Sequence, residues 1–514
     1  MKAIKRIKNI NGKDYVYEVQ PYYDKATKKI RHKSKYIGIY SGDIDKAKPL
    51  RKREPKASYS YGEFIPVNKV LADTGLLEIL KTILNKTDME TVLTLAINKV
   101  INPQPMHAIH LWYEDTILSR TYPDAIIESR AISKFLKKIG MEKIRQQVFK
   151  KIIEKNNVGK VLLYDITSIT SYSEFIQLLE YGYNRNADGL KQVNFALVVD
   201  KINNMPIVYE VYSGSVVDTN TIQEILKRLK SYGVKESVLV IDRGFFSQTN
   251  INDIIESDAD MDFIIPASLN TKTVCDCIEK EEIEKIQYLK QYNKKPIFAK
   301  PVAIKVGEHL LKGHLYLNPE RAESEKANMY IKLYDIKTKV EEKLKTESKE
   351  FLENVLNDIA KNYKKFFELK KETYPFLEYN ETAINQELLY CGKFILLNGK
   401  KDYSWEECLE TYNKKICVEE SFNLLKNDME SARLNMKCDE AFQGLLFIHF
   451  LALIIKMKLH ALLKNSKLNK KYTLNMLLME LHKIKKIELD NGEIIMTILT
   501  KSQKEILKAL GLCA

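Results

Sequence analysis

The chain has 514 residues, 45% of them hydrophobic and 29% charged, with a formal net charge of +14. That length suggests three or four domains at roughly 100–200 residues each, and the apolar content excludes a globally disordered chain. The charge is concentrated: residues 1–56 hold 17 Lys and Arg against 6 Asp and Glu, a net of +11, which leaves +3 for the other 458 residues. Such a segment suits a polyanion such as nucleic acid, since each cation that neutralises a phosphate releases a counterion. A solvated arm kept for solubility would have the same composition.

Residues 1–40 read as a small β unit, with Tyr15–Val19 and Ser34–Gly38 flanking a turn at Asp24–Thr27. Residues 41–62, polar and basic with Pro49 and Pro55, read as a linker. From 63 to 158 the pattern is helical: Leu71, Leu76, Leu77, Ile79 and Leu80 begin one apolar stripe, and Ile132 to Ile153 carries a second. This region is a second candidate for DNA binding. Over 159–266 the texture changes to short apolar runs: Val161–Tyr164, Phe195–Val199, Pro206–Val211, Val238–Ile241 and Phe263–Pro266. Helical spacing covers 218–231 and about 247–257. The order β, β, β, α, β, α, β argues for a mixed sheet covered by helices.

Residues 267–400 interrupt this order with strand-like pieces at 302–306, 315–317 and 329–333 and a charged helical stretch over about 337–372. A loop so long would be odd in a compact domain, so an inserted subdomain is expected. Helices resume from about 404, through 401–460 and a C-terminal helical region at 461–514. The most apolar segment, Leu445–Ile455, has eleven residues and contains His449. A bilayer span needs ~20, so a buried core helix with a core histidine is expected and a membrane partner is not. No N-terminal stretch has the form of a signal peptide. The cysteines at 275, 277, 391, 408, 417, 438 and 513 are odd in number and scattered, which suits free thiols in a reducing cytoplasm. There is no Walker loop, no H-E-x-x-H, no Cys/His zinc spacing and no clustering of the eight histidines.

The chemistry points elsewhere. Asp165 and Asp242 each follow four apolar residues, which places each at the C-terminal end of an expected buried strand, and Gly244 would allow a tight exit turn. Carboxylates at the ends of adjacent strands can converge on one point; Asp is also a common strand and turn cap. A third acid lies in Tyr412–Lys426, a segment without Gly or Pro. At about 100° per residue, Tyr412, Lys415, Glu419 and Lys426 fall within one arc of about 60°. An acid flanked by two cations and a phenol suits a site that holds a metal and grips phosphate; an exposed helix face with an ordinary Lys415–Glu419 pair has the same pattern. Glu420 lies about 100° away from that face, so Glu419 is preferred.

Asp at the end of a first strand, Asp242-Arg-Gly-Phe after a fourth, and Tyr412-x₂-Lys415-x₃-Glu419-x₆-Lys426 resemble the DDE insertion-sequence transposases. More narrowly, they resemble the subclass with a Tyr-x₂-Arg-x₃-Glu-x₆-Lys signature and a β-rich insertion before the Glu. The segments Gly182-Tyr-Asn, Gly189-Leu-Lys-Gln-Val, Tyr212-Ser-Gly-Ser and Asp218-Thr-Asn are similar to that family too, and the resemblance covers roughly 60–460. Lys415 stands where the family usually has Arg, exchanging a bidentate fork for a point charge.

The resemblance implies an α/β chain with an RNase H-like core, interrupted by a β-rich insertion and preceded by an N-terminal β hairpin and a helical DNA-binding region. It implies catalytic roles for Asp165, Asp242 and Glu419 as ligands of two Mg²⁺ ions, with Mn²⁺ able to replace them. Tyr412, Lys415 and Lys426 would position the DNA backbone. Arg243 is open between a phosphate contact and a structural salt bridge. The implied partner is double-stranded DNA, both transposon ends and target, bound by a homodimer in the bacterial cytoplasm at the nucleoid. Rival readings are another RNase H-like nuclease, such as a junction resolvase, and a non-catalytic DNA-binding protein derived from a transposase. The signature helix and insertion weigh against the first, and the retention of three acids against the second.

Overall fold

The structure is a computed structural model, and it describes the chain except for residues 1–2, 26, 48–53, 183–188, 217–220, 258–260, 345–351, 371–375, 430–435 and 513–514. Tyr183, Asn184, Asp218–Asn220 and Cys513, on which readings above draw, therefore lie outside the described residues. Two compact units emerge, 1–61 with 482–499 and 62–481 with 500–514.

In the first unit, β1 (Ile4–Ile10), β2 (Lys13–Asp24) and β3 (Lys29–Ile39) form an antiparallel sheet in that order. The expected hairpin is present, longer at both ends, with β1 added to its edge. The added strand gives no alternating signal, because its Ile4, Ile7 and Ile10 recur every third residue and stay 55%, 42% and 44% exposed. Pairing with β2, not burial, makes it a strand. A further strand, β4 (Pro55–Ser60), lies in the stretch read as a linker. It pairs with Lys485–Leu489, which pairs with Ile494–Met496, two strands in the stretch read as helical. Strand β4 and its partner lie over 400 positions apart in the chain, so no local pattern announces them.

The second unit opens with helices α1 (Phe64–Asp73), α2 (Leu76–Ile83), α3 (Lys86–Ile101), α4 (Ile109–Glu114), α5 (Leu118–Thr121), α6 (Ser129–Ile139) and α7 (Glu142–Lys155). There follow β5 (Val161–Thr170), β6 (Gln192–Asp200), β7 (Met205–Ser213), α8 (Ile222–Ser231), β8 (Ser237–Val240), α9 (Gln248–Glu256) and β9 (Met261–Pro266), in the order the sequence suggests. In space the strands run β9-β8-β5-β6-β7. The pairs β5–β8 and β8–β9 are parallel; β5–β6 and β6–β7 are antiparallel. The sheet is thus mixed, and both faces of β6 are buried along its whole length.

Next come α10 (Lys272–Lys280), β10 (Leu289–Tyr292), β11 (Lys295–Val306) and β12 (His309–Leu317). They are followed by α11 (Pro319–Leu344), α12 (Leu352–Ala360), β13 (Phe367–Lys370), β14 (Phe376–Tyr379), α13 (Glu381–Tyr390) and β15 (Lys393–Asn398). Strands β10, β11, β12 and β15 extend the same sheet beyond β9, giving nine strands among the described residues. The helices between β12 and β15 bury a cluster of their own around Leu333, Val340, Leu356, Phe366 and Leu377. The piece 329–333, read as a strand, lies inside α11. Its Met329 and Leu333 continue a buried series with Ala322, Ile336 and Val340, which is helical spacing.

After α14 (Trp405–Asn413) and α15 (Ile416–Asn423) comes α16 (Asp439–Asn465), then α17 (Leu474–His482) and α18 (Lys501–Ala509). The apolar run of eleven residues is part of the 27-residue α16, a helix long and apolar enough to cross a membrane by length and composition. Burial decides between the two readings: 78% of its most apolar window is inside the unit, where it packs on α1, α3, α6 and β7. His449 is 1% exposed, the core histidine expected.

The approach of α6 to α16 is backbone against backbone. A Cβ on Gly444 would stand 2.0 Å from the Leu136 carbonyl oxygen, and one on Gly140 2.0 Å from that of Glu440. Neither obstacle is a side chain that can rotate away. Gly444→Ala should therefore cost about 1–3 kcal/mol as the helices are forced apart. Urea unfolding measures it, and an unchanged midpoint would show that the helices have room to spare.

Candidate active site

Asp165 sits in the middle of β5, not at its end, because β5 runs on to Thr170. The strand outlasts the apolar run because β6 pairs with it from Leu162 to Thr170. Its neighbour β8 stops sooner: the parallel register matches Leu163 with Val240. Two residues further along that register, Asp165 and Asp242 come level, just where β8 has ended and left the edge of β5 open.

Asp242 starts a short 3₁₀ turn, Arg243–Phe245, and its Oδ1 accepts from the Arg243 N–H at 2.6 Å. The turn is pinned from below. Phe245 is 1% exposed and its ring lies 5.3 Å from that of Tyr164. Asn250 Nδ2 donates to the Phe245 carbonyl at 2.8 Å, and Ser247 caps α9 by accepting from the Asn250 N–H. Gly244 does not serve the turn as expected. It is absent from the glycines with positive φ, and a Cβ there would meet nothing within 4 Å.

Glu419 lies in the first turn of α15, which buries Cys417, Val418, Ser421 and Phe422 and turns Glu419 outward. The expected continuous helix is interrupted: α14 ends at Asn413, α15 begins at Ile416, and Leu424–Asp428 forms a wider π turn. Lys415 occupies the junction. Its backbone N–H donates to the Tyr412 carbonyl at 2.9 Å. Its ammonium is 3.0 Å from Asp242 Oδ1 and 3.5 Å from Glu419 Oε1, on a side chain only 11% exposed. Burial pulls the Lys415 ammonium down, but the charges of Asp165 and Asp242 outweigh it and raise its pKa.

A cavity of about 320 Å³ is lined by Asp165, Asp242, Glu419 and Lys415, with Gly244 and Phe245 from the turn and Phe422 and Asn423 from α15. Lys415 is the single cation among these lining residues, against three carboxylates. Glu420 does not line it. A larger adjoining cavity of about 1470 Å³ shares Asp242 and Gly244 and takes in Arg243 and Tyr412. Burial pushes the Tyr412 phenol up, with Asp242 and Glu419 adding to the effect. Arg243 is exposed and makes no ion pair among the described residues. Lys426 lines neither cavity. It falls in the π turn, which advances less per residue than an α-helix and so carries it off the expected arc.

Oxygen donors of this kind suit a hard divalent cation. Three carboxylates suit one by their chemistry, and the Lys415 ammonium already rests on two of them. Among the described residues, however, no three Asp, Glu, His or Cys side chains are gathered closely enough to hold one ion. The free thiols add no candidate: six described cysteines are unbridged.

The sequence profile of the transposase DDE domain matches residues 157–455, which include all three acids. The chain belongs to this transposase family. Among solved structures it is similar to a piggyBac transposase synaptic complex with hairpin DNA, at 10% identity over 78% of this chain and 70% of that one, with a TM-score of 0.36. It is also similar to a Mos1 transposase paired-end complex with the left transposon end, at 12% identity over 43% and 63%, with a TM-score of 0.15. No curated protein matches. Nuclease and transposition chemistry with divalent metal ions is what this family of transposases carries out.

Gly244 lines both cavities, and a Cβ there would meet nothing within 4 Å. Gly244→Ala should leave stability unchanged or raise it by up to about 1 kcal/mol, because an ordinary backbone conformation gains from a stiffer unfolded chain. Thermal unfolding tests this. A loss of more than about 1 kcal/mol would show that the turn does demand glycine.

Proposed function

We propose that this transposase cuts and pastes a DNA element, working as a homodimer on inverted-repeat ends at the bacterial nucleoid, with Asp165, Asp242 and Glu419 as its catalytic acids. The observation that carries the reading is the single cavity lined by those three carboxylates and Lys415. The strand order β7-β6-β5-β8-β9, with Asp165 on β5 level with Asp242 just past the end of β8, supports an RNase H-like core. The signature Tyr412-x₂-Lys415-x₃-Glu419-x₆-Lys426 supports the narrower subclass.

The three carboxylates would hold two Mg²⁺ ions, for which Mn²⁺ can stand in. When bound, the ions activate water or a 3′-hydroxyl and stabilise the leaving oxygen of an in-line displacement. The chain's own groups bind and orient the strand. Exposed Arg243, with no ion pair among the described residues, reaches a phosphate beside Asp242. Tyr412 borders the same approach, and Lys426 takes a more distant phosphate. The basic residues 1–56 neutralise further phosphates and so set the salt dependence of binding.

Asp165→Asn, Asp242→Asn and Glu419→Gln should each reduce cleavage of a duplex carrying the gene's flanking repeats by at least about 10³-fold while retaining duplex binding. Glu420→Gln should cleave normally. Full cleavage by Glu419→Gln would overturn the assignment, and absence of cleavage by the wild-type chain with Mg²⁺ would favour a non-catalytic DNA-binding protein.

The basic segment is better tested by substitution than by removal, since β4 is paired to Lys485–Leu489. Arg6, Lys33 and Lys35 are exposed on the N-terminal sheet. Changing all three to Gln should flatten the slope of log affinity against log salt by about one for each phosphate no longer neutralised. An identical slope would make the segment a solvated arm.

A further inference from the structure

The ammonium of Lys415 and a divalent ion compete for the same oxygens. Lys415 Nζ is 3.0 Å from Asp242 Oδ1 and 3.5 Å from Glu419 Oε1, and it lines the cavity that Asp165 also lines. An ordinary (i, i+4) pair on a helix surface leaves both partners in solvent. Here the lysine is 11% exposed while Glu419 is 54% and Asp242 39% exposed, so the cation is the inner member. Around it the carboxylates are not gathered as ligands of one ion. In this arrangement an ammonium supplies the compensating charge.

We propose that Lys415 holds the place of the metal in the DNA-free transposase, and that DNA phosphate draws it out, so that metal binding and DNA binding are coupled through this one side chain. The inference rests on the assignment of the three acids above. An ammonium in contact with these carboxylates competes with an arriving ion for them, because two positive charges at close range repel. An arriving phosphate offers the ammonium an equivalent anionic partner, so the lysine exchanges one charge for another instead of losing one. Its backbone can stay where it is, held by the N–H to the Tyr412 carbonyl, while the four-carbon stem rotates. A lysine suits this exchange, since its charge sits on one rotatable atom and not on a rigid fork. By linkage, whatever factor DNA contributes to metal affinity, metal contributes to DNA affinity.

The test uses the full chain and free-Mn²⁺ electron paramagnetic resonance, a readout of binding and not of turnover, with Ca²⁺-free buffer and a duplex carrying the gene's flanking repeats. In wild type, Mn²⁺ should bind weakly without DNA and roughly 5–150-fold more tightly with it, the usual span of such couplings. Lys415→Met and Lys415→Gln should bind Mn²⁺ tightly without DNA and gain little from the duplex. Adding Asp242→Asn to either should abolish that binding. Equal DNA-free affinity in wild type and both variants, still dependent on Asp242, would overturn the coupling and leave the site standing. Binding that survives Asp242→Asn would overturn both. If neither variant folds, wild type alone decides: Mn²⁺ must tighten duplex binding, measured by fluorescence anisotropy, and an affinity for the duplex that Mn²⁺ leaves unchanged would sink the proposal.

Discussion

Three carboxylates facing one small cavity repel each other, and one positive charge stands among them. Lys415 is that charge, and the surrounding fold can be understood as what keeps the four groups together. The early end of β8 exposes the edge of β5 where Asp165 and Asp242 come level. Phe245 against Tyr164 stops the turn after Asp242 from swinging out. Four buried residues of α15 fix the helix that presents Glu419. Glu419 also stands in that helix's first turn, where the helix dipole favours a negative charge.

The parts of this site that can be read from sequence are those with local causes. An apolar run followed by Asp marks a buried strand approaching its open end, and it locates Asp165 and Asp242 even though β5 continues past its acid. Period and arc place Lys415 and Glu419 on one face and set Glu420 aside, which is where the cavity lining puts them. The same arc misplaces Lys426, since a uniform 100° per residue knows nothing of a π turn. Gly244 suggests backbone freedom from its sequence position, whereas its φ is not positive and its surroundings are open. The ion pair from Lys415 to Asp242 spans 173 positions of chain, and no pattern in the helix alone could show that the lysine turns inward.

The fold follows the same division. The order of strands and helices over 159–266 is legible because its central strands are buried on both faces and announce themselves as unbroken apolar runs. β1 is not, because its isoleucines stay exposed, and β4 is not, because its partner comes from the other end of the chain. The piece at 329–333 deceives for the opposite reason: five residues of mixed character fit a strand, and only the buried series from Ala322 to Val340 reveals a helix.

Continuity of the sheet has a consequence for the site. Strands β10 to β12 and β15 are hydrogen-bonded onto β9 and share its frame, so the helices carried between β12 and β15 are tied at both ends to the strands that position Asp242. The larger cavity is lined from both sides, by Asp242, Arg243 and Tyr412 on one and by Arg321, Lys332 and Tyr363 on the other. Cations on the far side are partly committed already: Arg321 to Glu325, and Lys332 over the ring of Tyr363. Among the described residues, Arg243 on the Asp242 side and Lys332 on the far side make no ion pair, so both walls of the larger cavity keep a positive charge.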